Sequence, residues 1–295
     1  MKKAEKKLKI KKIWIFLGAF FLVFLGIIVK FKVSSHKIKS EEKQSEEIKI
    51  TPTIITTPTP TPTPRPISFE EMNAQYGPCA YVRVLMYHHI QDEEVAKKRN
   101  QKNLNVTPEF FRKHLQYLKD KSYNVIGMAD LKNFFDNGTS LPKNPVMLTF
   151  DDGYKDNYEK MYPILKEFGY KATIFVATGL LENEDYMSWA DLKNMTDLVY
   201  IGNHTWSHHA STGSAQVLSQ EIGLADKQLS ESGFNNIKIF AYPYGKPSST
   251  SEDVLKSKGY EIAFTTTHGN ILCKKKSLEL PRIRVGDAPL SNFGL

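Results

Sequence analysis

Between residues 81 and 285, short apolar runs alternate with stretches whose apolar residues recur three and four apart. Val82–Ile90 reads as a buried strand running into two histidines, His88 and His89. Thr107-Pro108 is an N-cap followed by proline at the first helical position, and Phe110, Phe111, Leu115 and Leu118 carry a helix on to about Lys121. A short strand is predicted at Val125–Ile126, then a helix from Met128 to Phe135 stopped by Asn137-Gly138. From Pro145 an apolar run climbs to Phe150 and halts at Asp151-Asp152-Gly153, the pattern of a buried parallel strand ending in a tight turn. Further strands are predicted at Ala172–Ala177, Val199–Asn203, Ile237–Tyr242, Ile262–Thr265 and Arg282–Val285. Helices fall between them at Tyr158–Phe168, Trp189–Met195, Ala215–Leu229 and Glu252–Lys258. Connections too long for hairpins argue for a parallel sheet, and seven or eight such units suggest closure into a barrel, with an open sheet as the alternative.

The first 66 residues follow other rules. Ile13–Val29 is seventeen residues without a charge, with seven lysines before it and Lys30 and Lys32 after it. That length is the lower end of what spans a bilayer, and the flanks lack a small-residue cleavage site, so an uncleaved signal anchor is favoured over a signal peptide. The lysines place the N-terminus inside and the bulk of the chain outside. The repeat Thr57–Pro64 can build neither helix nor core and reads as an extended spacer. Three regions result: a cytoplasmic tail and anchor over 1–33, an extracytoplasmic stalk over 34–79, and a globular domain over 80–295.

Charge changes one inference. The net charge is +8, but residues 1–39 carry eleven lysines against one glutamate, so the globular part is nearly neutral and a nucleic-acid partner is not indicated. The two cysteines, Cys79 and Cys273, show no metal-knuckle spacing. Outside the cytoplasm they can form one disulfide or none.

Candidate chemistry lies at the ends of the predicted strands. His204-Thr-Trp-Ser-His208 places two imidazoles four apart, close enough to bind one metal ion. Alone the pair is a weak signal. With a carboxylate from Asp151-Asp152 it gives the two-histidine, one-carboxylate set that leaves positions open for water and substrate. One acid would then be a ligand and the other a proton acceptor. Tyr242-Pro-Tyr-Gly245 is an exposed turn whose main-chain N–H can face a developing oxyanion.

Thr149-Phe-Asp-Asp-Gly153, His204-Thr-Trp-Ser-His208 and Tyr242-Pro-Tyr-Gly245, in that order, resemble the first three motifs of the polysaccharide deacetylase family, the NodB-homology domain of carbohydrate esterase family 4. The resemblance covers roughly residues 80–290. It implies a deformed (β/α)7-8 barrel and metal-dependent removal of acetyl groups from amino sugars in a β-linked N-acetylhexosamine polymer, such as peptidoglycan, poly-N-acetylglucosamine or a chitin-like chain. It also implies Asp152, His204 and His208 as ligands of a divalent ion (Zn2+, or Co2+ or Ni2+), Asp151 as general base, and the Tyr244 N–H at the oxyanion. An O-acetyl esterase of xylan type and a glycan-binding pseudoenzyme are the alternatives.

Two departures stand out. Ala241 occupies the place of the family's arginine, and Leu280–Val285 lacks the late histidine that serves as general acid. A branch related to the poly-N-acetylglucosamine deacetylases carries that histidine early, where this chain has Leu85-Met-Tyr-His-His-Ile90. His88 is therefore the expected acid, with His89 second and His268 weaker, and Arg282 or Arg284 the expected replacement for the arginine. Trp189, Tyr154 and Tyr158 fit groove or core equally. His114 is expected on a helix surface, without a role.

Overall fold

The computed structural model describes residues 67–295. The segments expected to form the anchor and most of the stalk lie outside the described residues. Among the described residues no helix is long and apolar enough to cross a membrane.

Seven strands form the frame: β1 (Arg83–Tyr87), β2 (Pro145–Phe150), β3 (Ala172–Val176), β4 (Val199–Asn203), β5 (Ile239–Ala241), β6 (Ile262–His268) and β7 (Leu280–Arg284). Each pairs in parallel with the next, and β7 pairs with β1, so the sheet closes into a barrel. The closed parallel barrel with surrounding helices agrees with the fold the motifs imply. Because all seven strands run one way, every C-terminal end lies at the same rim.

Side chains alternate along the strands as the pleat requires. Val84, Met147, Phe175, Ile239, Ala241, Ile262, Phe264 and Leu280 cluster together. Their strand neighbours Leu85, Leu148, Phe150, Ile174, Val176 and Ile201 cluster instead with helix residues such as Phe111, Leu115, Leu165 and Leu192. The first group therefore fills the barrel and the second joins it to its helices. Burying a side chain of this size contributes roughly 1.5–3 kcal/mol.

Among the described residues eight α-helices accompany the strands: α1 (Phe69–Tyr76), α2 (Glu93–Lys98), α3 (Pro108–Asp120), α4 (Met128–Asn137), α5 (Tyr162–Phe168), α6 (Trp189–Asn194), α7 (Ala215–Glu231) and α8 (Ser249–Ser257). The cap at Thr107 accepts from the Phe110 N–H, and Gly138 and Gly169 close α4 and α5 in the left-handed conformation that glycine adopts without penalty. α1 falls in the stretch assigned to the end of the stalk. A capping box between Ser68 and Glu71 starts it, and it leads into a short strand, Cys79–Tyr81, paired with Ile271–Cys273. A disulfide joins Cys79 to Cys273.

Three expectations need correction. The first strand does not run through to Ile90: it stops at Tyr87, and His89–Ile90 pairs separately with Asn105–Val106. His114 is not on the surface. It is buried, taking the Tyr87 hydroxyl on Nδ1 and giving Nε2–H to the Ala288 carbonyl. Tyr242, read as part of an exposed turn, is also buried, its hydroxyl donating to the Leu278 carbonyl.

Candidate active site

β2 brings two carboxylates to the rim and then separates them. Asp151 continues the period of Met147 and Thr149, so it faces into the barrel mouth. There it meets Arg282 from β7 in a two-pronged pair, Nη1 to Oδ1 at 2.7 Å and Nη2 to Oδ2 at 2.6 Å. Arg282 is fully buried, and its Nε donates to the Thr265 carbonyl at 2.9 Å. Thr265 lies in the stretch between Phe264 and His268 where the β6–β7 register shifts. Burial works against ionised Asp151, but the guanidinium outweighs it and holds the acid below the ordinary aspartate range. Arg284, the last residue of β7, is exposed and donates to the Asn103 carbonyl. Of the two candidate arginines, Arg282 therefore stands where Ala241 leaves a gap.

Asp152 leaves the strand with φ 75°, a left-handed conformation uncommon for any residue with a Cβ. The turn aims its carboxylate away from Asp151 and at two imidazoles. Oδ1 lies 3.3 Å from His204 Nε2 and 3.2 Å from His208 Nε2. These donor atoms all fall within 4.8 Å of one another. His204 Nδ1 lies 2.7 Å from the Ala241 carbonyl, which must receive its proton. A neutral ring then turns a lone pair on Nε2 toward a carboxylate oxygen that is buried and lacks a hydrogen bond. Lone pairs converging at this range repel unless a cation lies between them, so the donor set fits a divalent ion.

The remaining motif residues gather at the same rim. Tyr244 has φ 60° and is 64% exposed, and its ring meets the edge of His208 at 4.8 Å. Gly245 is required beside it, because a Cβ there would fall 2.0 Å from Thr266 Oγ1. Thr205 and His208 also have positive φ, at 68° and 59°. For β-branched Thr205 that is a real outlier, and its cost of about 1–3 kcal/mol is of the kind that accumulates at functional sites. His88 follows β1 at the rim. Burial lowers its pKa, while Asp151 and Asp152 pull the other way. His89 is nearly fully buried, with Nδ1 2.6 Å from Asp156 Oδ2. His268 is exposed at the end of β6. Trp189 packs on the core beside Phe234, and Tyr158 packs on Tyr162. Tyr154 stacks between His89 and Tyr186.

Asp156 and Asn157 belong to this neighbourhood although no single-residue pattern marks them. Asn157 donates to the His88 carbonyl at 2.8 Å, and Asp156 Oδ1 accepts the Ile90 N–H at 2.8 Å. The available signal was their place in Asp151-Asp-Gly-Tyr-Lys-Asp-Asn157, a polar run too long for a plain turn.

Comparison with known proteins points one way. The polysaccharide deacetylase family profile matches residues 138–263. A poly-beta-1,6-N-acetyl-D-glucosamine N-deacetylase of Staphylococcus aureus is 26% identical over 202 residues, 63% of this chain and 69% of that protein. The enzyme of the same name from Escherichia coli is 23% identical over 252 residues, and the match spans only 36% of its length. The solved structure of the Streptococcus pyogenes deacetylase PplD, in complex with acetate, superposes with a TM-score of 0.64 at 30% identity, covering 70% of this chain and 92% of that one. With the barrel, the motif order and a near-complete structural relative in agreement, the chain belongs to the polysaccharide deacetylase family and is a hydrolase that deacetylates polysaccharide.

Proposed function

We propose that the chain hydrolyses N-acetyl groups on a β-linked N-acetylhexosamine polymer and depends on a divalent metal, zinc by preference, with cobalt or nickel as substitutes. The observation that carries the reading is the buried Asp152 Oδ1 between two imidazole Nε2 atoms, beside an Asp151 already paired to Arg282. The names of the Staphylococcus aureus and Escherichia coli relatives support N-acetylglucosamine as the sugar.

Asp152, His204 and His208 would hold the ion, which when bound supplies Lewis acidity toward the acetyl carbonyl and lowers the pKa of the attacking water. Asp151 takes the water's proton. Arg282 keeps Asp151 ionised and therefore able to accept. The Tyr244 main-chain N–H donates to the acetyl oxygen as negative charge builds there, a contribution of roughly 3 kcal/mol for a well-placed donor. His88 gives a proton to the departing amine nitrogen. Its lowered pKa makes the imidazolium a readier donor.

We also place the enzyme outside the cytoplasmic membrane, tethered through residues 13–29. The Cys79–Cys273 disulfide supports an oxidising compartment.

Acetate release from the metal-loaded full chain tests the chemistry. Oligomers of β-1,6- and β-1,4-linked N-acetylglucosamine should be turned over, and chelation should abolish turnover until metal is restored. Acetate released from O-acetylated xylan, with none from any N-acetylated glycan, would overturn the reading.

A further inference from the structure

We propose that Asp156, together with Asn157, is a positioning residue that fixes His88 relative to Asp151. The proposal rests on the reading of His88 as the proton donor. β1 ends at Tyr87, and the chain regains a strand partner only at His89–Ile90, so no ladder of the barrel holds residue 88. Three hydrogen bonds from two adjacent side chains hold this segment instead. Asn157 Nδ2 donates to the His88 carbonyl at 2.8 Å. Asp156 Oδ2 meets His89 Nδ1 at 2.6 Å, and Asp156 Oδ1 accepts the Ile90 N–H at 2.8 Å. Three consecutive residues are thus fastened, and His88 is the first of them.

The fastening comes from the turn that carries the carboxylates. Asp156 and Asn157 lie four and five residues beyond Asp152. Tyr154, between Asp152 and Asp156, stacks on the His89 ring at 3.6 Å and 18°. The helix that follows opens with a π-turn, Asn157–Met161, a feature that inserts a residue and often occurs at functional sites. Asn157 and His89 are both buried and the Asp156 side chain is 15% exposed, so the clamp is largely shielded from bulk water. The separation between proton donor and proton acceptor is therefore set within one short stretch, 151–157, which grips the His88 segment.

The consequence is chemical. When the C–N bond of an N-acetyl group breaks, its electron pair goes to nitrogen, which must gain a proton as acetate is released. When the C–O bond of 4-nitrophenyl acetate breaks, the phenolate leaves without one. A misplaced His88 should therefore penalise the amide and spare the aryl ester, whereas general damage to the site lowers both.

The experiment measures turnover of an N-acetylglucosamine oligomer and of 4-nitrophenyl acetate on one preparation of the metal-loaded full chain, so any inactive fraction cancels in the ratio. Asp156→Ala is expected to lower the amide-to-ester ratio roughly 10- to 100-fold, through kcat rather than KM. His88→Ala should lower it at least as far. Asp156→Asn keeps an acceptor for the Ile90 N–H and should lie between Asp156→Ala and the wild type. An unchanged ratio in Asp156→Ala, beside a lowered ratio in His88→Ala, would overturn the clamp and leave the acid in place. Equal losses on both substrates in Asp156→Ala would also overturn it. A ratio untouched by His88→Ala would instead sink the acid assignment itself.

Discussion

Asp151 and Asp152 share a side-chain type and a position in sequence, yet one backbone torsion gives them different surroundings. Asp151 stays on the strand and meets a guanidinium; Asp152 turns at φ 75° and meets two imidazoles. Arg282 is fully buried, so its value to the site is inseparable from its value to the fold. Removing one partner of a buried ion pair leaves an uncompensated charge and typically costs about 3–5 kcal/mol. Arg282→Met should destabilise the protein by about that amount and raise the Asp151 pKa. Arg282→Lys should recover part of the stability but not the turnover, because a single ammonium cannot reproduce the two parallel bonds. Urea denaturation with kcat on the same variants checks this, and a fully active Arg282→Lys would contradict it. The sequence alone could not choose between Arg282 and Arg284. Residues two apart in a strand share a face, and only the height of the barrel rim separates them.

Helix α3 shows the same limit at the scale of an element. Phe111, His114, Leu115 and Leu118 stand three and four apart and are its buried face. The spacing was legible, but a histidine within it reads as polar until its two partners are known. Those partners are Tyr87 on β1 and the Ala288 carbonyl near the chain's end, both distant in sequence. What is repeated and local was readable: the seven barrel strands, the caps at Thr107 and Gly138, and the motifs at strand ends. The π-turn at Asn157 and the β6–β7 register shift were not, since they depend on contacts rather than on a period. The His114 bridge carries a pH signature. Burial lowers its pKa, with Ala288 and Asp287 opposing, so the folded state holds it neutral. Its contribution is complete above the unfolded value of about 6.5 and declines as pH falls from there toward the folded value, at no more than about 1.4 kcal/mol per pH unit. Urea midpoints at pH 7.5 and 5.5 should therefore converge between wild type and His114→Gln as the pH falls. A constant difference would exclude the bridge as a source of pH dependence.

At the scale of the whole molecule, a barrel with strands in chain order brings segments near residues 88, 151, 204 and 244 to one rim, and Cys79–Cys273 ties its first strand segment to its last third. The near-neutral globular part offers no strong field to recruit a polymer, so placement must do so. Under the proposed localisation, the apolar run 13–29 would hold the enzyme at the membrane, with the Thr/Pro-rich segment 57–66 between it and the barrel. Tethering raises the effective concentration of enzyme near cell-associated polymer without any new contact. Replacing residues 1–33 with a cleavable secretion signal should release the enzyme to the medium. Turnover of soluble oligomers per molecule should be unchanged, because no residue of the rim is altered. Deacetylation of the cell-associated polymer, read as free amine content at equal enzyme amount, should fall by on the order of 100-fold, the low end of what linkage supplies. Equal modification by released and tethered forms would remove the tether from the account of function and leave the rim chemistry untouched.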